Sequence, residues 1–328
     1  MRYLLQLHGH LPIDVYPHLA ARAEDLGFAD VTVHDVLLRR PVWPVLCDIA
    51  RATTTVQIGP NVTHPYLTHP LQIAANVAHL DELSEGRAVL GIGRGSMYHL
   101  VGQPNPANLG GLREAIDVIR TALSGSGEEY DGDVFRLGRG ARLQFGTGRP
   151  VPVYLGALGP RGARLAGEHC AGLRMAAQWD PAYAGTIRPH LQAGERAAGR
   201  DPGEVEFVLE NWTYVHPDRE LARREARRVL ATFLPHLGPL LAFHAVPAAE
   251  VEAARAAVSD GAVERLAEIS DRTVDLFMAA GDVSDLVAGI ERIAAAGFDA
   301  VSFSGELGPD TALALELIGT AIKTVGSG

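Results

Sequence analysis

Eight short apolar runs, separated by helical segments, recur along this chain, and that alternation most restricts what it can fold into. The runs are YLLQL at 3–7, DVTVHD at 30–35, VQIGPNV at 56–62, RAVLGIG at 87–93, PVYLGA at 152–157, GLRMAA at 172–177, EFVLENWTYV at 206–215 and DAVSFSG at 299–305. Helical patterns fill the gaps: HLAARAEDLGF with its stop at Gly27, PVLCDIARAT, a stretch over 70–83 and another over 112–123. Apolar strands that need cover on both faces predict a parallel sheet. Eight of them predict a closed (β/α)8 barrel, with an open doubly wound sheet as the alternative. With 328 residues, 47% of them hydrophobic, one large α/β domain over 1–328 is a sufficient reading.

Three stretches break the rhythm and read as insertions: 97–111, 128–145 and 235–280. The first follows RAVLGIGRGSMYHL, whose glycines imitate a dinucleotide-binding loop. The third glycine, Gly95, comes one position early for G-x-G-x-x-G, and Gly102, Pro104, Pro106 and Gly110 then deny it a crossover helix. The run therefore reads as a strand that delivers its C-terminal end to a pocket, or as a tight turn with no ligand. The second, EEYDGDVFRLGRGARLQF, predicts a hairpin turning around GRGA. The third lies in an almost wholly helical stretch over 218–280, too long for one crossover.

A formal net charge of -10 argues against nucleic-acid and anionic-membrane partners and leaves a small organic molecule. Cys47 and Cys170 lack metal or redox spacing and are expected as reduced thiols. Lys323 is the only lysine, which removes Schiff-base and carbamylated-lysine chemistry and leaves cationic work to arginine. MRYLLQLHGH has no basic start before an apolar stretch, and no apolar run reaches about 18 residues, so a cytoplasmic protein is expected.

In a barrel, function gathers at the C-terminal ends of the strands. Those ends carry His8 and His10, then His34 and Asp35, Asn61 to Thr63, Gly93 to Ser96, Gly156 to Arg161, Gln178 and Trp179, Glu210 to Trp212, and Ser304 to Glu306. His8 and His10 would suit a metal-dependent hydrolase barrel. That reading also needs histidines on the fifth and sixth strands and an aspartate on the eighth, and the chain supplies neither, so no metal is expected. LGALGPRGARLAGE, 155–168, runs a strand through a glycine turn into a helix starting at Pro160. The free N–H groups of that helix end and Arg161 would suit a phosphate, unless this is an ordinary turn with a surface arginine. In IGPNVTHPYLTHP the backbone after Pro60 is expected to be irregular, with His64 and His69 capping or packing.

THPYLTHP, AANVAHLDELSEGRAVLGIGRGS (74–96), PVYLGALGPRGARLAGEHCAGL (152–173) and VSFSGELGPD (301–310) resemble the luciferase-like flavin/deazaflavin oxidoreductases. Within that family they look most like the coenzyme F420-dependent branch typified by methylenetetrahydromethanopterin reductase. The resemblance implies a (β/α)8 barrel of the bacterial luciferase-like type with its insertions at the C-terminal face, and a homodimer. It implies F420 in the barrel mouth, FMN being the alternative, and hydride transfer to or from an organic substrate. An FMN-dependent monooxygenase is the other activity of the fold. A non-proline cis peptide at Asn61–Val62 would support the ring. Gly156, Ala157, Gly159, Pro160 and Arg161 would hold the phosphate, and Gly93 and Arg94 would lie beside the ring. Asp35 and Gln178 complete the implied cofactor set. The branch commonly has a histidine after that aspartate; here Val36 follows Asp35. His8 and Glu210 remain as candidate proton donors or acceptors.

Overall fold

The structure, a computed structural model, describes residues 1–104 and 109–327. Its internal contacts gather into two compact units: one of Leu4–Arg174 and Arg188–Phe207, the other of Met1–Tyr3, Met175–Ile187 and Val208–Gly328.

The first unit is built on parallel strands joined by helices. In order it holds β1 (Arg2–Leu7), α1 (Val15–Asp25), β2 (Asp30–Val33), α2 (Val42–Ala52), β3 (Gln57–Pro60), α3 (Pro70–Leu83), β4 (Leu90–Ile92) and α4 (Gly110–Ser124). A hairpin of β5 (Tyr130–Asp131) and β6 (Arg136–Leu137) follows, then β7 (Val153–Gly156), α5 (Pro160–His169) and β8 (Gly172–Met175). Register pairs Leu4 with Asp30, Val31 with Ile58, Leu90 with Val153 and Tyr154 with Gly172, all parallel. Single bridges, Ile58 to Ala88 and Thr63 to Ile92, carry β3 onto β4. All four residues of β2 are buried, as a strand covered on both faces requires. Its polar member Asp30 meets Arg174 of β8 at 2.5 Å, and that guanidinium lies 4.8 Å from the Tyr154 ring centre.

Helix boundaries follow local chemistry. The Nδ1 atom of His69 accepts from the Leu71 N–H with Pro70 in the first turn, so α3 starts where an N-cap and a proline allow it. His69 is thus a cap, as expected. Gly27, at φ 89°, turns the chain from α1 into β2.

The hairpin expected in 128–145 is present, but its turn is not at GRGA. Tyr130 pairs with Leu137 and Asp131 with Arg136, so the chain reverses over residues 132–135. The cause is Glu114 of α4, whose carboxylate accepts the N–H groups of Asp133, Val134 and Phe135. Of the expected insertion 97–111, residues 105–108 lie outside the described residues.

Helix α6 (Ala182–Ala197) contributes residues to both units, as do β1 through Arg2 and Tyr3 and β8 through Met175, and the strand that follows α6 begins in the first unit with Glu206 and Phe207. In the second unit follow β9 (Glu206–Val215), α7 (Arg219–Phe233), α8 (Gly238–Phe243), α9 (Ala248–Ser259), α10 (Asp271–Phe277), β10 (Met278–Gly281), α11 (Val283–Ala295), β11 (Ala300–Leu307) and α12 (Thr311–Gly326). The helical insertion over 235–280 is therefore broken at its end by β10, which the alternation did not announce. The run MAAG is short and lacks β-branched residues, yet Met278 pairs with Trp212 and Gly281 with Val215. On its other side β9 pairs with β11, with a register shift between Ser304 and Leu307. Three helices here start on aspartates: Asp218, Asp282 and Asp310 each accept first-turn N–H groups.

Candidate active site

Strand β3 ends at Pro60 and the next peptide bond, Asn61–Val62, is cis, as the resemblance implied. The chain then rejoins its neighbours: the Asn61 N–H donates to Val33 O, Thr63 N–H to Gly91 O and Gly93 N–H to Thr63 O, each at 2.9 Å. The buried side chain of Gln6 donates to the Asn61 carbonyl. Sequence reasoning passed over Gln6, although one amide inside YLLQL was a signal, because a buried polar group needs a partner.

The bulge places Val62 between two strands. A Cβ on Gly93 would stand 2.8 Å from Val62 Cγ2, and one on Gly156 would stand 2.8 Å from Val62 Cγ1. Glycine at these two strand ends is required by the valine wedged between them. The Thr63 hydroxyl donates to Asp35 Oδ2 at 2.6 Å, tying the loop after β2 to the bulge.

Beyond it, His64 is buried and its Nδ1 has no partner among the described residues. Burial lowers its pKa, with Asp35 pulling the other way. Its ring meets Tyr98 edge-on at 5.4 Å, and the Tyr98 hydroxyl donates to the Arg94 carbonyl at 2.5 Å. Gly95 completes this turn at φ 72°, where a Cβ would stand 2.5 Å from the Tyr98 oxygen. The Arg94 side chain is left exposed. Tyr98 is a further residue missed in the sequence, where the loop 96–111 offers no periodicity.

His8, His10 and His34 come together after β1 and β2. The His8 ring lies 5.4 Å from that of His10 and 5.7 Å from that of His34. Burial first, then His34, His10 and Arg39, push the His8 pKa down to about 3; burial and Arg39 push His34 down to about 4. Both are therefore neutral imidazoles at neutral pH. Such a His8 can share a hydrogen bond through its one N–H but carries no imidazolium proton to give until strongly acid conditions. Among the described residues, no three His, Cys, Asp or Glu side chains are grouped to hold a metal ion.

At the end of β7, Gly156 passes through Ala157 and Leu158 to Gly159, the N-cap of α5, with Pro160 in the first turn. Gly159 has no side chain to cap that turn, so its N–H groups are open to an outside acceptor. Arg161 is exposed there and makes no side-chain hydrogen bond or ion pair with the described residues.

Two site candidates belong to the second unit. Glu210, expected at the C-terminal end of its strand, is instead buried in the middle of β9, which runs on to Val215, and its carbonyl accepts the Gln178 N–H at 3.2 Å. Gln178 follows Ala177, which sits at φ 60°. Its side chain is fully buried, and neither amide atom has a partner among the described residues. An unpaired buried amide costs about 1–3 kcal/mol, so this one is suited to a group that brings both a donor and an acceptor.

A cavity of about 1120 Å³ lies elsewhere in the first unit. It borders the N-terminal ends of β7 and β8, and none of the candidate residues lines it.

A model of the luciferase-like monooxygenase family matches residues 7–300. The chain is 32% identical over 310 residues to a 5,10-methylenetetrahydromethanopterin reductase of Archaeoglobus fulgidus, covering 92% of each, and 31% identical to that of Methanolobus tindarius, covering 95% and 96%. The solved coenzyme F420-dependent tetrahydromethanopterin reductase of Methanopyrus kandleri superposes with a TM-score of 0.91 over 99% of both chains at 27% identity. The fold is thus the (β/α)8 barrel of the luciferase-like type.

Proposed function

This chain belongs to the luciferase-like monooxygenase family, and we propose that within it the protein is a coenzyme F420-dependent oxidoreductase moving a hydride between F420 and an organic substrate. The observation that carries this reading is the match to methylenetetrahydromethanopterin reductases over more than nine tenths of the chain. The residues present fit the cofactor. Val62, held between Gly93 and Gly156, offers an apolar backing for a planar ring. The uncapped start of α5 and the exposed Arg161 offer N–H groups to a phosphate. Gln178, taken by itself, has the unspent donor and acceptor that a lactam edge would use.

When bound, F420 supplies the carbon that takes up or gives the hydride, and the protein supplies position and electrostatics. In the proposed roles, Gly156, Ala157, Gly159, Pro160 and Arg161 hold the phosphate, and Asn61 and Val62 back the ring. Gly93 keeps the Val62 wedge in place, while Arg94 meets the cofactor beside it. Asp35 orients the bulge through Thr63. Neutral His8 serves as a hydrogen-bonding group, and Glu210 is the carboxylate offered for proton movement.

The whole chain is proposed as one luciferase-like domain, acting as a homodimer on a small organic substrate in the cytoplasm. Both cysteines are free, as suits a reducing compartment. The test is a parallel titration of the purified protein with F420 and FMN, followed by absorbance and fluorescence. Tighter F420 binding, with reduction or oxidation of F420 on adding substrate, is expected. Tighter FMN binding with oxygen consumption would overturn it in favour of a monooxygenase, and stoichiometric zinc would favour a hydrolase.

A further inference from the structure

The cavity of about 1120 Å³ lies in the first unit, bordered by the end of α4, residues 143–152, the start of β7, the Cys170–Ala171 link between α5 and β8, and Arg200 with Glu204. It sits at the N-terminal end of β7. The turn proposed to hold the cofactor phosphate leaves from the other end, about 10 Å away along the strand.

Its wall is unusual in charge. Arg120 Nη2 donates to the His169 carbonyl, and Arg200 Nη1 donates to the Cys170 carbonyl at 2.6 Å. Two guanidiniums are thereby fixed on successive carbonyls at the end of α5. Each has five N–H groups and each spends one in these bonds. Among the described residues neither meets a carboxylate. A third arginine in the wall, Arg149, is already matched to Asp81 at 2.5 Å. The wall's own carboxylate, Glu204, accepts the Asp201 N–H. Burial holds the Cys170 thiol up at about 12, with Arg120 and Arg200 acting against it. Two guanidiniums held on adjacent carbonyls, neither meeting a carboxylate among the described residues, in a chain of net charge -10, mark a place for an anion.

The rest of the wall is apolar. Leu143, Phe145, Pro150 and Val151 line it, and Phe145 is 44% exposed, a large ring with little cover. The volume is slightly above the range of about 300–1,000 Å³ usual for sites that take a drug-sized molecule.

We propose that this cavity binds an organic anion at a site separate from the hydride-transfer site, its charged group on Arg120 and Arg200 and its apolar body against Leu143, Phe145 and Val151. A ligand here spans the α5–β8 link and the start of β7, the strand that ends in the Gly156 turn.

The probe is 1-anilinonaphthalene-8-sulfonate, a fluorescent aromatic anion, titrated into the full-length protein with and without F420. The expected result is a binding site that persists at the same affinity with F420 bound. Arg120→Gln and Arg200→Gln should each weaken it about tenfold, as loss of a charge-assisted hydrogen bond does. Arg196→Gln, outside the cavity, should leave it unchanged. Phe145→Ala removes an exposed ring, leaves both arginines in place, and should weaken the probe several-fold in a protein with an unaltered melting temperature. Anilinonaphthalene without the sulfonate should bind at least tenfold more weakly. Displacement of the probe by F420, equal loss in Arg196→Gln, or unchanged affinity in Phe145→Ala would each overturn the proposal.

Discussion

Gly93→Ala tests the packing on which the candidate site rests. The added Cβ would stand 2.8 Å from Val62 Cγ2 and 3.4 Å from the Gly156 carbonyl. Ordinary carbon contacts begin at about 3.5 Å, so Val62 must retreat by about 0.7 Å. The retreat is obstructed, because Val62 Cγ1 already occupies the space where a Gly156 Cβ would be. Overpacking of this kind costs about 1–3 kcal/mol. At about 2–4 °C per kcal/mol in a large domain, the melting temperature should fall by several degrees. The assay is urea and thermal unfolding of four proteins: the parent, Gly93→Ala, Val62→Ala and the double variant. If the clash is the cause, trimming Val62 relieves it, and the double variant should recover at least half of the loss, giving a coupling of about 1 kcal/mol or more. F420 affinity should fall in Gly93→Ala and follow Val62 in the double variant. Additive stabilities, or a Gly93→Ala protein with parental stability and F420 affinity, would refute the argument.

Arg161→Gln should weaken F420 binding about tenfold in a fluorescence titration while leaving the melting temperature within experimental error, because the side chain is exposed and holds no partner among the described residues. Gln178→Leu replaces a buried amide, without a partner among the described residues, with an apolar side chain of similar size. Denaturation of the cofactor-free protein should show equal or higher stability, with F420 binding weakened; a loss of stability would mean the amide has an internal role. The His8 and His34 pKa values are depressed to about 3 and about 4, against about 6.5 in the unfolded chain. Below pH about 6.5 the unfolded state therefore binds protons that the folded state refuses, and unfolding free energy should decrease as pH falls toward 4. His8→Gln should flatten that slope, and an unchanged slope would count against the burial of its imidazole.

How much of this was legible in the chain varies from element to element. Strand β2 was readable in DVTV, and α5 in Gly159 followed by Pro160, because alternation, helix starts and proline act over a few residues. The hairpin was readable as a hairpin, but the glycines of GRGA pointed to the wrong turn. Its position is decided by Glu114, about 20 residues earlier, whose carboxylate collects three N–H groups. The strand β10 escaped notice because MAAG has no strand signature of its own and becomes a strand through its neighbour β9.

The same division runs through the candidate site. Sequence alone determined the alternation that makes a barrel, the ends of the first strands, the glycine turn at the head of α5 and the dependence on arginine for positive charge. Those are local patterns, written in consecutive residues. Only the tertiary structure decided that Gly93 and Gly156 are glycines for the sake of Val62, that Gln6 supports the bulge, that His8 and His34 are held neutral, and that Arg120 and Arg200 converge on one carbonyl pair. Each of these joins residues tens of positions apart through burial or contact. A buried group's partner and its charge state are set by what surrounds it in space, and residue spacing carries little record of that.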